Sequence, residues 1–342
     1  MSTPTFPDSE WSRATPDEAG FDPERLERAE RWLSDNGNQR PYRVVIVRGG
    51  RVIAEWYKGV GREEQLRLAS AAKSVFSCLL AIAIDEGKIP SADAKLIDFY
   101  PEAMDVPAGE GPKPGRHVFE KDHDITFRQL ISNTSGYMKP GELPGTVFHY
   151  QTYGMNVLTH AIAKTYGLYD TSDPEDSPGF KQLVDEKLRF PIGANWGYYM
   201  ANFDLHPRAR IQIFGYYDGI KSSALDMARL GWLWCNGGRW QDNQVIPEGW
   251  LQEATRVAPD IASNCPKEQW KYGYAFWTND HGQLWPSLPQ DAFAASGAGS
   301  QHIWVCPSLD LVVVQSPGLW QDQEENDSGL LKYIVDASTQ QK

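Results

Sequence analysis

Ser70 and Lys73 stand three residues apart in the stretch Leu68-Ala69-Ser70-Ala71-Ala72-Lys73-Ser74. A serine hydroxyl is a poor nucleophile at neutral pH and attacks a carbonyl only when a base within hydrogen-bond reach takes its proton. Residues three apart on a helix share a face, so this spacing sets an amine beside the hydroxyl. A free ammonium has a pKa of about 10.4. Lys73 opens an otherwise apolar helix, where desolvation lowers that pKa toward a usable base. The helix N-terminus also offers unpaired N–H groups to a developing oxyanion. One element thus supplies nucleophile, base and part of an anion site. Ser-x-x-Lys turns up about once by chance in a chain of this size at ordinary residue frequencies, so its setting decides its weight.

The elements that must position the pair are legible on both sides of it. Tyr42 to Tyr57 carries two β-rich runs around Gly49-Gly50, which predicts a hairpin. Ser70 to Glu86 is apolar nearly all round, with Gly87 as a left-handed stop, and predicts a buried helix. From about 90 to 250, helical patches are separated by Pro- and Gly-rich loops. Phe127 to Ile131, Val157 to Thr165, Phe180 to Leu188 and Ser223 to Cys235 are the clearest. Gln301 to Val305 and Leu311 to Val314 read as strands around Cys306-Pro307-Ser308, and Leu330 to Ala337 as a closing helix. The expected fold is α/β of the α+β kind: an antiparallel sheet flanked by helices, built from both chain ends, with a mostly helical insert. Residues 1–90 and 250–342 form the sheet domain and 91–249 the helical one, with the active site between them. Pro and Gly in the stretch 101–124 suggest a lid or surface loop.

At 342 residues the chain can bury a core large enough to hold a cleft. Its 45 acidic and 33 basic residues leave a net charge of −12, with no basic cluster to track a phosphate backbone, so nucleic acid is not an expected partner. The start, Met-Ser-Thr-Pro-Thr-Phe-Pro-Asp-Ser-Glu, has neither a basic opening nor an apolar run. No membrane partner and a cytoplasmic location are therefore expected. Cys78, Cys235, Cys265 and Cys306 are widely spaced and read as ordinary buried thiols, neither a zinc site nor a disulfide scaffold. Thirteen Trp and fifteen Tyr are a heavy aromatic load, for packing or for lining a pocket that takes an apolar acyl group. A Gly-x-Ser-x-Gly elbow, a P-loop and a dinucleotide fingerprint are absent from the sequence, and the seven His show no metal-ligand pair on a helix. No cofactor and no metal are expected.

With Ser70 and Lys73 following a β-rich run and opening a buried helix, the chain resembles the serine β-lactamase-related family. That family takes in class C β-lactamases, penicillin-binding proteins, family VIII carboxylesterases and 6-aminohexanoate-dimer hydrolases. The resemblance runs from about residue 40 to 315. Ile125 to Gly136 looks like the family's Thr-x-x-x-Leu-Leu-x-x-x-Ser-Gly segment and reads as scaffolding. Phe148-His149-Tyr150-Gln151-Thr152, with Asn156-Val157-Leu158 behind it, is similar to the Tyr-x-Asn motif, which implies that Tyr150 is the catalytic tyrosine. There the Lys73 ammonium would favour phenolate character. Thr152 replaces the Asn that contacts a substrate amide and is closer to the Tyr-x-Ser of dimer hydrolases and some esterases. Tyr217 to Arg229 resembles the Gly-x-x-Ser-Thr-Ala-x-Asp-Leu-Ala-Arg segment, where Ser223 and Asp226 are expected to cap a helix. Ala295-Ser296-Gly297-Ala298 aligns with the Lys-Thr-Gly or His-x-Gly strand but lacks its cation.

The resemblance implies catalysis by Ser70, Lys73 and Tyr150, with the backbone N–H groups of Ser70 and Ala298 as the oxyanion hole and Thr152, Ser296 and Gly297 at the substrate. A β-bulge also explains the glycines at 297 and 299. Adjacent His149 would need a geometry that sequence does not provide. The expected activity is hydrolysis of a small-molecule ester or amide through an acyl-enzyme on Ser70. The same machinery serves an acyltransferase, a D-amino-acid peptidase or a β-lactamase, and a catalytically silent binding domain could retain the fold. Thr152 and Ala295 favour esters, or amides of the aminohexanoate type, over β-lactams. Oligomeric state is left open.

Overall fold

Gly49 and Gly50 adopt φ of 56° and 79°, the left-handed backbone that a two-residue hairpin turn demands. The turn joins β1 (Tyr42–Arg48) to β2 (Arg51–Lys58) as the sequence predicts. In the computed structural model, which describes residues 4–37, 39–202, 209–318 and 329–338, the hairpin forms one side of the main sheet. Before it comes α1 (Pro23–Asn36), capped by Asp22, whose carboxylate accepts from the Arg25 N–H. After it come β3 (Leu66–Arg67) and α2 (Ala72–Asp85). The central part holds α3 (Phe127–Ile131), α4 (Tyr153–Thr165), α5 (Phe180–Val184), β4 (Trp196–Ala201), α6 (Ile211–Phe214), β5 (Tyr217–Ser222) and α7 (Ala224–Cys235). A short β6 (Arg239–Trp240) and β7 (Asn243–Gln244) pair precedes α8 (Trp250–Ala254) and α9 (Pro259–Asn264). The chain closes with β8 (Trp277–Thr278), β9 (Phe293–Gly297), β10 (Gln301–Cys306), β11 (Leu311–Gln315) and α10 (Leu330–Ala337).

The main sheet is antiparallel in the order β2-β1-β11-β10-β9-β8, so strands from the two ends of the chain meet where β1 pairs with β11. The side chains of β1 alternate between two cores. Val44 and Ile46 pack with Leu26, Ala29 and Leu33 of α1 and with Leu330, Leu331 and Ile334 of α10. Val45 and Val47 face the larger core that includes α2 and α7. Both faces are covered, so the strands read as continuous Val- and Ile-rich runs.

Two features depart from the sequence reading. α7 falls in the stretch assigned to the helical insert, yet it lies across the main sheet. Gly231 permits this approach, since a Cβ there would stand 2.5 Å from Val312 and 2.8 Å from Ile303. β4 and β5 occupy a region read as helices and loops, and with β3 they form a second sheet in the order β3-β5-β4. Their Gly and Tyr content and partial exposure hide the alternation that marks a strand. Ser223 caps α7 as expected: its Oγ accepts from the Asp226 N–H at 3.1 Å and donates to the Asp226 carboxylate at 2.7 Å. The stretch 101–124 is pinned to the body. Tyr137 donates to the Ala103 carbonyl, and the buried Asp122 carboxylate accepts from the Phe119 and Met138 N–H groups. All four cysteines are free, but only Cys78 and Cys306 are fully buried; Cys235 and Cys265 are partly exposed. Among the described residues no helix is long and apolar enough to cross a membrane.

Candidate active site

Leu68 donates its N–H to the Ile220 carbonyl of β5, which fixes the end of β3. The chain then turns through a single 3₁₀ turn, Ala69–Ala71, into α2. Ala69 takes φ 48°, a left-handed backbone uncommon for a residue with a Cβ and a mark of local strain. Ser70 thus sits on the turn just before the regular helix, and Lys73 lies inside the first helical turn. The Lys73 Nζ donates to the Ser70 Oγ at 2.8 Å.

Lys73 is 2% exposed. Burial pushes its pKa down to about 7, so at neutral pH much of the amine is unprotonated and able to accept a proton. Its Nζ also lies 5.0 Å from the centre of the Tyr150 ring. Tyr150 comes from the loop that enters α4. Tyr150 is 36% exposed, and its hydroxyl interacts with the Ser70 side chain. Desolvation raises the phenol above its usual pKa, and the bond to Ser70 only partly opposes this. Burial thus acts against the expected phenolate character.

Two aromatic side chains absent from the sequence reading wall in Tyr150. Trp277 stacks on it with centroids 6.1 Å apart and planes at 23°, and Tyr272 meets it edge-on at 5.9 Å. Tyr272 and Trp277 are themselves joined by a β-bridge beside β8. The only sequence signal for them was the heavy aromatic load, which did not single out either residue.

β9 approaches the Ser70 turn backbone to backbone. A Cβ on Gly297 would overlap the Leu68 carbonyl oxygen and lie 2.8 Å from the Ala71 nitrogen and 3.1 Å from that of Ser70. Only glycine allows this approach, and the exposed Ala298 follows it in the chain. Ala295 is fully buried on the face that packs with α2. Ser296 alternates to the other face, opposite His302. The β8 ladder on β9 ends at Ala294, so Ala295 to Gly297 present an edge beyond it. Thr152 lies at the start of α4, two residues beyond Tyr150, and its hydroxyl makes no capping bond. His149 is directed to the Glu142 carboxylate at 2.8 Å. Among the described residues no cluster of His, Cys, Asp or Glu is suited to a metal.

Ser70 and Lys73, Tyr150, and Gly297 are thus brought together from three separate segments. A family model described as Beta-lactamase matches residues 29–333. The 6-aminohexanoate-dimer hydrolase of Paenarthrobacter ureafaciens is 23% identical over 304 residues, which cover 82% of this chain and 73% of that protein. A family VIII carboxylesterase structure superposes with a TM-score of 0.67 at 15% identity, over 96% of this chain and 99% of its own. A second structure, EstCE1, described as a hydrolase with promiscuous acyltransferase activity, superposes with a TM-score of 0.65 at 14% identity, over 94% of this chain and 99% of its own.

Proposed function

The chain belongs to the Beta-lactamase family, and from that premise we propose that it is a serine hydrolase cleaving a small ester or amide through an acyl-enzyme on Ser70. One observation carries the proposal: a buried lysine with its pKa lowered to about 7 donates to a serine Oγ at 2.8 Å. A base near neutrality in contact with a hydroxyl is what nucleophilic attack at pH 7 requires.

The steps follow from the groups present. Unprotonated Lys73 takes the Ser70 proton while Oγ bonds to the substrate carbonyl carbon, and the carbonyl oxygen becomes an oxyanion. The N–H groups of Ser70 and Ala298 receive that charge. Tyr150, a neutral phenol, gives its proton to the departing alkoxide or amine, and the Lys73 ammonium restores it. The tetrahedral centre collapses and leaves an acyl ester on Ser70. Water then adds to the ester with Lys73 as base, and Ser70 leaves with its proton. With an alcohol or amine acceptor the same last step is acyl transfer.

Thr152 and Ala295 shape the substrate preference. Without an amide-recognising Asn at 152 or a cation at 295, the machinery suits esters, or amides of the type named for the Paenarthrobacter ureafaciens relative, better than β-lactams. Ser296 faces away from Gly297, so any contact it makes with an acyl group on Ser70 comes from its edge backbone.

Release of nitrophenol from p-nitrophenyl acetate and butyrate tests the reading. Wild type should exceed Ser70→Ala by ~10³-fold or more. Equal, slow release by the two proteins would sink it. A fluorophosphonate should add its mass to Ser70 and to no other residue.

A further inference from the structure

Asn133 lies in the segment that the sequence presents as scaffolding. It is 1% exposed, and its φ of 58° is in the left-handed region that Asn tolerates better than most residues. Its backbone carbonyl accepts the His149 N–H at 2.9 Å. Its side-chain Oδ1 accepts the Gln151 N–H at 3.0 Å, and its Nδ2 donates to the Tyr272 hydroxyl at 3.2 Å. One residue therefore grips the chain immediately before and immediately after Tyr150. It also holds by its hydroxyl the ring that packs edge-on against Tyr150. The Gln151 side chain adds a bond from its Nε2 to the Ser135 hydroxyl at 3.2 Å, two residues beyond Asn133.

We propose that Asn133 is a positioning residue that sets the reach of the Tyr150 phenol toward Ser70. The inference rests on the reading of Tyr150 as the proton donor to the leaving group. Buried polar groups that lose their partner are costly, so the three contacts define one position of the loop. Tyr150 enters its helix through an unpaired N-cap, Thr152, and its ring is partly open to solvent. Without the Asn133 side chain, the Gln151 N–H and the Tyr272 hydroxyl lose their partner, and the loop keeps the His149 backbone bond and the side-chain bonds to Glu142 and Ser135.

Asn133→Gly keeps the left-handed backbone and the carbonyl while removing both side-chain bonds. It should lower kcat for p-nitrophenyl butyrate about tenfold to a hundredfold, the scale of an ångström of misplacement, with a much smaller change in KM. Asn133→Asp, which still accepts from Gln151 and can accept from Tyr272, should recover most of the loss. In a Tyr150→Phe background Asn133→Gly should cost less than about twofold more, because the two act as a unit. An equal loss in both backgrounds would overturn the proposal.

A readout independent of turnover uses the protein labelled with ¹³C-tyrosine, the Tyr150 ring signal being identified by its absence in Tyr150→Phe. That signal should shift or broaden in Asn133→Gly. Tyr272→Phe, which leaves Asn133 and the Gln151 bond in place, should give a smaller shift and serves if the glycine variant does not fold. An unchanged Tyr150 signal in the variants that fold overturns the proposal even if wild type hydrolyses no ester, a failure that would count against the hydrolase reading instead.

Discussion

Lys73 brings reactivity and instability to the same spot. Its pKa in the folded chain is about 7, below the ordinary lysine value, because burial penalises the ammonium. As the base for Ser70 it must be unprotonated, so kcat/KM should rise with pH through about 7 and level off above. A pH-rate profile for p-nitrophenyl butyrate checks this, and a flat profile across neutrality would remove Lys73 from the role. The same shift fixes a stability effect. Between the folded and unfolded pKa values the unfolded chain binds the extra proton, so this group's destabilisation is complete below pH 7 and fades as pH rises toward the unfolded value. Lys73→Met should therefore be inactive yet raise Tm, with the gain largest at and below pH 7 and shrinking toward pH 10. A gain that grew with pH would contradict the assignment. Sequence alone pointed to Ser70 and Lys73, because a spacing of three on an apolar helix is local geometry. It did not show the burial that raises the Tyr150 pKa, because desolvation comes from Trp277, Tyr272 and other neighbours distant in the chain.

At the level of elements, the site depends on how closely a strand edge meets a turn. Gly297→Ala would press a methyl group onto the Leu68 carbonyl and the Ser70 and Ala71 nitrogens, rigid backbone that cannot rotate aside. Overpacking of this kind costs about 1–3 kcal/mol, readable as a lower midpoint in urea. Because the displaced atoms belong to the proposed oxyanion hole, kcat should fall as well. Ser223→Ala makes the contrast. It removes the cap of α7 and should cost about 1 kcal/mol, with a much smaller fall in kcat than Gly297→Ala because its hydroxyl bonds to Asp226 and not to the Ser70 turn. Loss of activity in that variant would mean that α7 has a part in the cleft. The Gly49-Gly50 hairpin, α2 and α10 were legible from the sequence because each carries a strong local signal: paired glycines, an unbroken apolar run, or an apolar periodicity. β4 and β5 were not. They contain Gly197 and Gly219, and a Cβ on Gly219 would run into the ring of Tyr199 across the ladder. What makes them strands is this pairing, and pairing is not a property of either segment alone.

Across the whole molecule, the larger core joins the main sheet to the helices of the central region, with α2 running through its middle and α7 seated on β1, β10 and β11. A core shared in this way predicts that the two regions unfold together. Far-ultraviolet circular dichroism and tryptophan fluorescence should give coincident transitions in urea, and separated midpoints would show two independent units. The sequence by itself determined that both chain ends build one antiparallel sheet and that Ser70 and Lys73 stand three apart at the head of a buried helix, while its resemblance to a known family placed a tyrosine motif and a glycine strand behind them. Those features are written in residue type and spacing, which act over a few neighbouring positions. The tertiary structure alone decided that Gly297 wedges against the Ser70 turn, that Tyr150 lies between Lys73 and Trp277, and that Asn133 grips the loop on both sides of it. These depend on burial and on hydrogen bonds between segments far apart in the chain, which exist only once the chain has closed on itself.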